Sequence, residues 1–157
     1  LNKNRRILVL TWIVSFQIIG LLFGLMTKNN IYPWYENLIK SNLTPPPLVF
    51  SIVWPILYLL LAIPGFLLWV NYRQGRLRLA FYVYWIQMIL NWVWTPLFFK
   101  FHLIELSFYV LLLLALLTLV IIYLARNRLK AVSWILFPYF IWLLFAIYLN
   151  GTIVVLN

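Results

Sequence analysis

The sequence predicts an all-α membrane protein built as a bundle of five transmembrane helices. Three observations lead there. Hydrophobic residues make up 66% of the 157 positions and charged residues only 9%, too few to cover a soluble domain of this size with polar surface. The apolar residues fall into five runs of roughly 20 or more, the length needed to cross about 30 Å of hydrocarbon. The 12 basic residues gather in short clusters between those runs, as membrane-flanking segments do.

The spans are expected at about 7–26, 48–70, 79–99, 103–125 and 131–156, within a single domain over 1–157. Strands are not expected, because the runs lack the alternation and turn spacing of a barrel. The absence of cysteine excludes disulfides and thiolate metal sites, and one His with two acids leaves little for acid–base chemistry, so no metal is expected. The net charge of +10 could suggest nucleic acid, but its confinement to inter-span clusters points to the bilayer instead, and no nucleic-acid partner is expected.

The first span follows Lys3, Arg5 and Arg6 and so imitates a signal peptide, yet it is longer than an h-region and no small-residue cleavage site follows. It is expected to be retained. Its Gly20 and Gly24 form a small-xxx-small pair that suits close helix approach, inside the bundle or across a dimer. The connection over 28–47 is the one long loop, and it carries Tyr32, Pro33, Trp34 and Tyr35. Two readings stand for these rings: an interfacial aromatic belt, or a cover over a cavity.

The second span begins in TPPPLVFSIVWPILY, residues 44–58. Prolines at a helix start cost no hydrogen bond and hold the incoming chain extended, so Pro45 to Pro47 shape a stiff loop-to-helix corner. Trp54 and Tyr58, one turn apart, project from one face beneath it. In the third span Gln87, Asn91, Trp94 and Phe98 recur at helical spacing. Amides at membrane depth must face protein, water or ligand, so the stripe is either interhelical glue or a pocket wall with indole beside it. Pro96 is expected to kink this helix.

The fourth span is nearly pure Leu, Ile and Val and reads as bundle-filling or lipid-facing; Glu105 and His102 near its start read as surface residues. In the fifth, Trp142, Ala146 and Asn150 share a face, which is either simple packing or a wall with room for something flat. Nine basic residues, Lys3, Arg5, Arg6, Arg73, Arg76, Arg78, Arg126, Arg128 and Lys130, fall on one side of this topology. Lys28, Lys40 and Lys100 fall on the other with both acids, so the positive-inside rule places the N-terminus in the cytoplasm.

An ordered set of short motifs then carries a resemblance. WYENLIK (34–40), the PP of 45–46, VW (53–54), LY (57–58), LNWVW (90–94), LFF (97–99), PY (138–139), Trp142, FA (145–146) and LN (149–150) together resemble the translocator protein family, whose bacterial members are the tryptophan-rich sensory proteins. The resemblance covers nearly the whole chain. It implies a five-helix bundle, usually dimeric, with the long first loop capping a ligand pocket for porphyrins and other flat aromatic molecules; some members bind sterols. Carried over by motif, it implies Trp54 on the second helix, Asn91 and Trp94 on the third, Trp142, Ala146 and Leu149 on the fifth, and Trp34, Tyr35 and Lys40 in the covering loop; Tyr58 and Phe98 join the expected ligand contacts from the faces they share with Trp54 and Trp94.

This chain departs from the family pattern where Ser41 follows Lys40, where Leu43 and Leu48 flank the prolines, and where Ile52 precedes Val53. The fourth helix has Tyr109 and Val110 where an Asp is common, and no Lys or Arg follows Tyr148 where animal members carry a sterol motif. The expected function is a membrane receptor, carrier or sensor for a porphyrin such as protoporphyrin IX or haem, with Lys28 and Lys40 meeting propionates at the mouth and no resident cofactor required. Two alternatives stand beside it. One is a light- and oxygen-dependent porphyrin-degrading enzyme using Trp54 and Trp142; the other is a regulatory membrane partner without a small ligand. A bacterial inner membrane is the expected location.

Overall fold

The computed structural model describes residues 3–157, so the first two positions lie outside the described residues. Six helices follow in order: α1 (Lys3–Ile31), α2 (Trp34–Asn37), α3 (Pro47–Asn71), α4 (Arg76–Phe99), α5 (Ile104–Ala125) and α6 (Lys130–Leu156). Among the described residues there is no strand. Apart from α2, the helices run 22 to 29 residues, and at 1.5 Å per residue each exceeds about 30 Å of hydrocarbon. Four of them, α1, α3, α5 and α6, are both long and apolar enough to cross a membrane. Helix α4 has the length, but Arg76, Arg78, Gln87 and Asn91 dilute its apolar character.

The helix ends follow local chemistry. Helix α1 continues five residues past the expected end at Met26, because Thr27 and Asn30 donate back to the carbonyls of Phe23 and Met26 at 3.0 and 2.8 Å and so fit a helical turn. The first connection is correspondingly shorter and contains the single turn α2. Helix α3 begins at Pro47 itself, with Pro46 extended at φ −63° and ψ 155° as the N-cap.

Helices α3, α4, α5 and α6 close a ring of neighbours in that order, and α1 lies outside it against α3 and α4. Tyr84, Leu61, Leu68, Met88, Leu136 and Val132 are fully buried in the ring's interior. Helix α1 turns Leu10, Val14, Ile18, Leu21 and Leu22 outward, an apolar face suited to lipid. Its inner face is tied to α3 by donors aimed at main-chain carbonyls: Trp12 Nε1 to Ala62 at 2.9 Å and Gln17 Nε2 to Pro55 at 3.0 Å. Gly20 belongs to this contact, since a Cβ there would lie 2.7 Å from the Tyr58 ring, whereas Gly24 faces open space.

The connections sort to two ends. The start of α4 and the α5–α6 connection share a cavity, which places them at one end. At the other, Trp34 meets His102, Ser41 Oγ bonds Tyr148 Oη at 2.8 Å, and the Asn157 amide bonds the main chain of Ile39 in both directions at 3.0 Å. The long connection is thereby tied to the α4–α5 turn and to the end of α6.

Candidate functional site

Most of the residues singled out from sequence meet at the end where the long connection is tied down. On α3, Phe50, Trp54 and Tyr58 follow at one-turn spacing along one face. Trp54 touches Tyr58 (ring centroids 6.1 Å apart) and Trp94 on α4 (6.4 Å). Trp94 stacks on Phe98 at 5.4 Å and 12°. Phe98 in turn receives Trp34 edge-on at 5.5 Å and Tyr35 at 6.1 Å. A continuous series of rings therefore runs from the single turn α2 to Tyr58 in the bundle. Trp142 joins it from α6 through Phe50, edge-on at 6.3 Å.

Beneath the rings lies a polar junction. Gln87 Nε2 and Asn91 Nδ2 both donate to the Tyr139 hydroxyl, each at 2.7 Å. The two amides are one turn apart on α4 and so present to the same point on α6. Tyr58, Asn91 and Phe98 are 2%, 6% and 3% exposed, and Trp34, Tyr35, Trp54, Trp94 and Trp142 are half-buried. Ala146 packs half-buried against the core and Leu149 is buried on α6, without ring or hydrogen-bond contact to the others.

Several polar atoms here have no partner within the protein. They are Tyr58 Oη, Gln87 Oε1, Asn91 Oδ1 and Trp94 Nε1, together with both amide atoms of Asn150. A buried polar atom left unpaired costs on the order of 1–3 kcal/mol, and native interiors hold few of them. The atoms on Tyr58, Gln87, Asn91 and Trp94 belong to the ring series and the amide–phenol junction, and they leave hydrogen-bonding capacity unused there. The rings pack directly on one another.

The long connection differs in detail from expectation. Trp34 lies flat on His102, the residue read from sequence as mere surface, at 3.9 Å and 13°. Lys40 donates to the carbonyls of Tyr35, Glu36 and Leu38 at 2.7, 3.0 and 2.9 Å, and its ammonium stands 4.9 Å from the Tyr35 ring. All three of its N–H groups are spent bracing the end of α2, so a propionate contact would have to displace a main-chain carbonyl. Burial pushes the Tyr35 phenol above its ordinary pKa, and the Glu36 carboxylate does the same for Tyr32.

Sequence reasoning left Phe50, Gln87, Tyr139 and His102 out of the ligand-contact set. Phe50 was findable one turn before Trp54, and Tyr139 one turn before Trp142, on faces already chosen. The remaining tryptophans are elsewhere: Trp12, Trp69, Trp85 and Trp92 line a groove of about 320 Å³ between α1, α3 and α4, and Trp134 is exposed.

Apolar helices of membrane length around a buried core of aromatic and amide side chains define an integral membrane protein of bundled helices. The chain belongs to the TspO/MBR family, which it matches over residues 12–156. It is 29% identical over 152 residues to the tryptophan-rich protein TspO of Bacillus cereus, covering 91% of this chain and 96% of that protein. It is 34% identical over 152 residues to the tryptophan-rich protein TspO of Archaeoglobus fulgidus, covering 92% and 94%. Likeness extends to the translocator protein of Ovis aries, at 29% over 123 residues, 76% of this chain and 72% of that one.

Proposed function

We propose that this protein is a membrane receptor, carrier or sensor that binds porphyrin-like tetrapyrroles, protoporphyrin IX or haem, and other flat aromatic molecules. The observation that carries the reading is the coincidence of one ring series, Trp34–Phe98–Trp94–Trp54–Tyr58, with unpaired buried polar atoms on Tyr58, Asn91 and Trp94. A large flat ligand with a few polar atoms on its rim uses both capacities, and each ring it stacks on adds about 0.5–1.5 kcal/mol beyond area burial. Trp142, Ala146 and Leu149 supply the α6 wall and Tyr35 the cover.

The reading includes five membrane crossings, with α4 as the third. Its charged end lies at the interface and its amides turn inward onto Tyr139, which makes a polar helix tolerable at depth. The connection containing α2 serves as the pocket's cap. Loop charges support a cytoplasmic N-terminus in a bacterial inner membrane, and family membership supports a homodimer. Titration of protoporphyrin IX into the purified protein, followed by tryptophan quenching, tests the reading. Saturable quenching that weakens in Asn91→Leu and Trp54→Ala supports it; absence of saturable quenching removes it.

A second reading rests on the Trp54–Trp94 contact. Two adjacent indoles beside a bound, light-excited porphyrin can pass an electron to it, in keeping with a light- and oxygen-dependent degrading activity. Under illumination a binder leaves the porphyrin spectrum intact, and a degrading enzyme bleaches it to a defined product. The role of Trp54 and Trp142 expected from sequence is tested by replacing both with Phe, which should halt bleaching while binding persists.

A further inference from the structure

The basic end of the bundle holds a cavity of about 390 Å³ that takes no part in the aromatic site. Gly75 and Arg76 line it from the start of α4, Tyr123 and Leu124 from the last turn of α5, and Asn127 and Arg128 from the α5–α6 connection. Two arginines thus face one cavity from separate connections. Both acids of the chain, Glu36 and Glu105, belong to the opposite end, at α2 and the first turn of α5, so no carboxylate competes for these guanidiniums.

Two of the neighbouring arginines are already occupied. Arg126 sits 4.2 Å over the Tyr123 ring, and Arg73 donates to Tyr72 Oη at 3.3 Å and covers that ring. Among the described residues, Arg76 and Arg128 have neither an ion-pair nor a ring partner, and both are exposed. The cavity is also two-sided. Its rim is cationic with an amide, and its wall toward the apolar length of α5 is the Leu124 side chain and the outward-facing Tyr123 ring.

We infer that this cavity binds the headgroup of an anionic glycerophospholipid, with Arg76 and Arg128 on the phosphate and an acyl chain running down past Tyr123. Guanidinium forks match phosphate oxygens in pairs, and basic pockets between helix ends at the membrane surface are suited to anionic headgroups. The apolar wall decides the source of the phosphate, because a free phosphate would gain nothing from Leu124 and Tyr123. An aromatic ring at that depth is also the side chain that suits the headgroup–acyl boundary.

The test uses the full chain in phosphatidylcholine nanodiscs to which phosphatidylglycerol is added, with lipids retained on the released protein counted by native mass spectrometry. Wild type should retain phosphatidylglycerol in preference to phosphatidylcholine, and R76Q/R128Q should lose that preference by about tenfold. R5Q/R6Q, which removes equal charge at the same end, should keep it. Equal loss in both double variants would reduce the effect to net charge and overturn the assignment, as would equal retention of phosphatidylcholine. Displacement of the lipid by millimolar inorganic phosphate would assign the cavity to a soluble anion instead. Should R76Q/R128Q fail to fold, photoactivatable phosphatidylglycerol on wild type decides the matter. Crosslinks concentrated on Tyr123 and Leu124 uphold the site, and crosslinks spread evenly over the helices overturn it.

Discussion

Asn91 reaches from α4 to α6 and donates to the Tyr139 hydroxyl at 2.7 Å, and the same oxygen accepts from Gln87 at the same distance. One phenol thus serves two amides. Tyr139→Phe strands both NH₂ groups in the core, whereas Asn91→Leu removes one amide whole and leaves Gln87 its partner. Stranded buried donors cost roughly 1–3 kcal/mol, above the average of about 0.6 for membrane hydrogen bonds whose groups find other partners. Unfolding in mixed micelles should therefore show Tyr139→Phe to be the more destabilised of the two. The opposite order would mean that the amides re-pair elsewhere.

The Trp34–His102 stack, at 3.9 Å, fastens the long connection to the α4–α5 turn. His102→Ala removes the platform without touching the ring series. The loss of one aromatic pair is about 0.5–1.5 kcal/mol, which lands on the loop rather than the bundle. Proteolysis within 38–46 should speed several-fold, and both the association and dissociation rates of protoporphyrin should rise together, with little change in the unfolding midpoint.

Gly65 faces the Tyr84 ring so closely that an added Cβ would meet the hydroxyl, which itself donates to the Leu61 carbonyl at 2.8 Å. Both residues are buried, so neither can yield outward. Gly65→Ala should cost about 1–3 kcal/mol as an overpacking change. Gly65→Ala combined with Tyr84→Ala should be less unstable than the sum of the two single changes, because removing the ring frees the space the methyl needs. Strict additivity in a thermal-unfolding cycle would contradict the contact.

Tyr32 stands outside the membrane helices with the Glu36 carboxylate beside it, and hydrogen bonding to that carboxylate, with its charge second, raises its pKa. A folded-state pKa above the unfolded one means that the interaction is fully present below the ordinary tyrosine range and fades as pH climbs through the raised value. An alkaline phenolate titration, read as the difference between wild type and Tyr32→Phe, should place this group above an ordinary tyrosine. Glu36→Gln should return it toward the ordinary value.

The membrane class, the helix positions and the family were legible in the residues themselves. Length and apolarity decide where a chain can cross hydrocarbon, and proline and basic clusters mark the ends, so the expected spans differ from the helices mainly at the two ends of α1. The ring stripe on α4 and the Trp54–Tyr58 pair were also readable, since helical spacing alone puts them on one face. What spacing leaves open is the direction each face turns. In a soluble helix the apolar stripe points inward and settles that rotation, but these helices are apolar all round, because lipid accepts the same side chains as the core. Only the packed bundle decided that Tyr139 would be the amides' shared acceptor, that Phe50 would carry Trp142 to the ring series, that His102 would seat Trp34, and that Lys40 would spend its donors on its own loop.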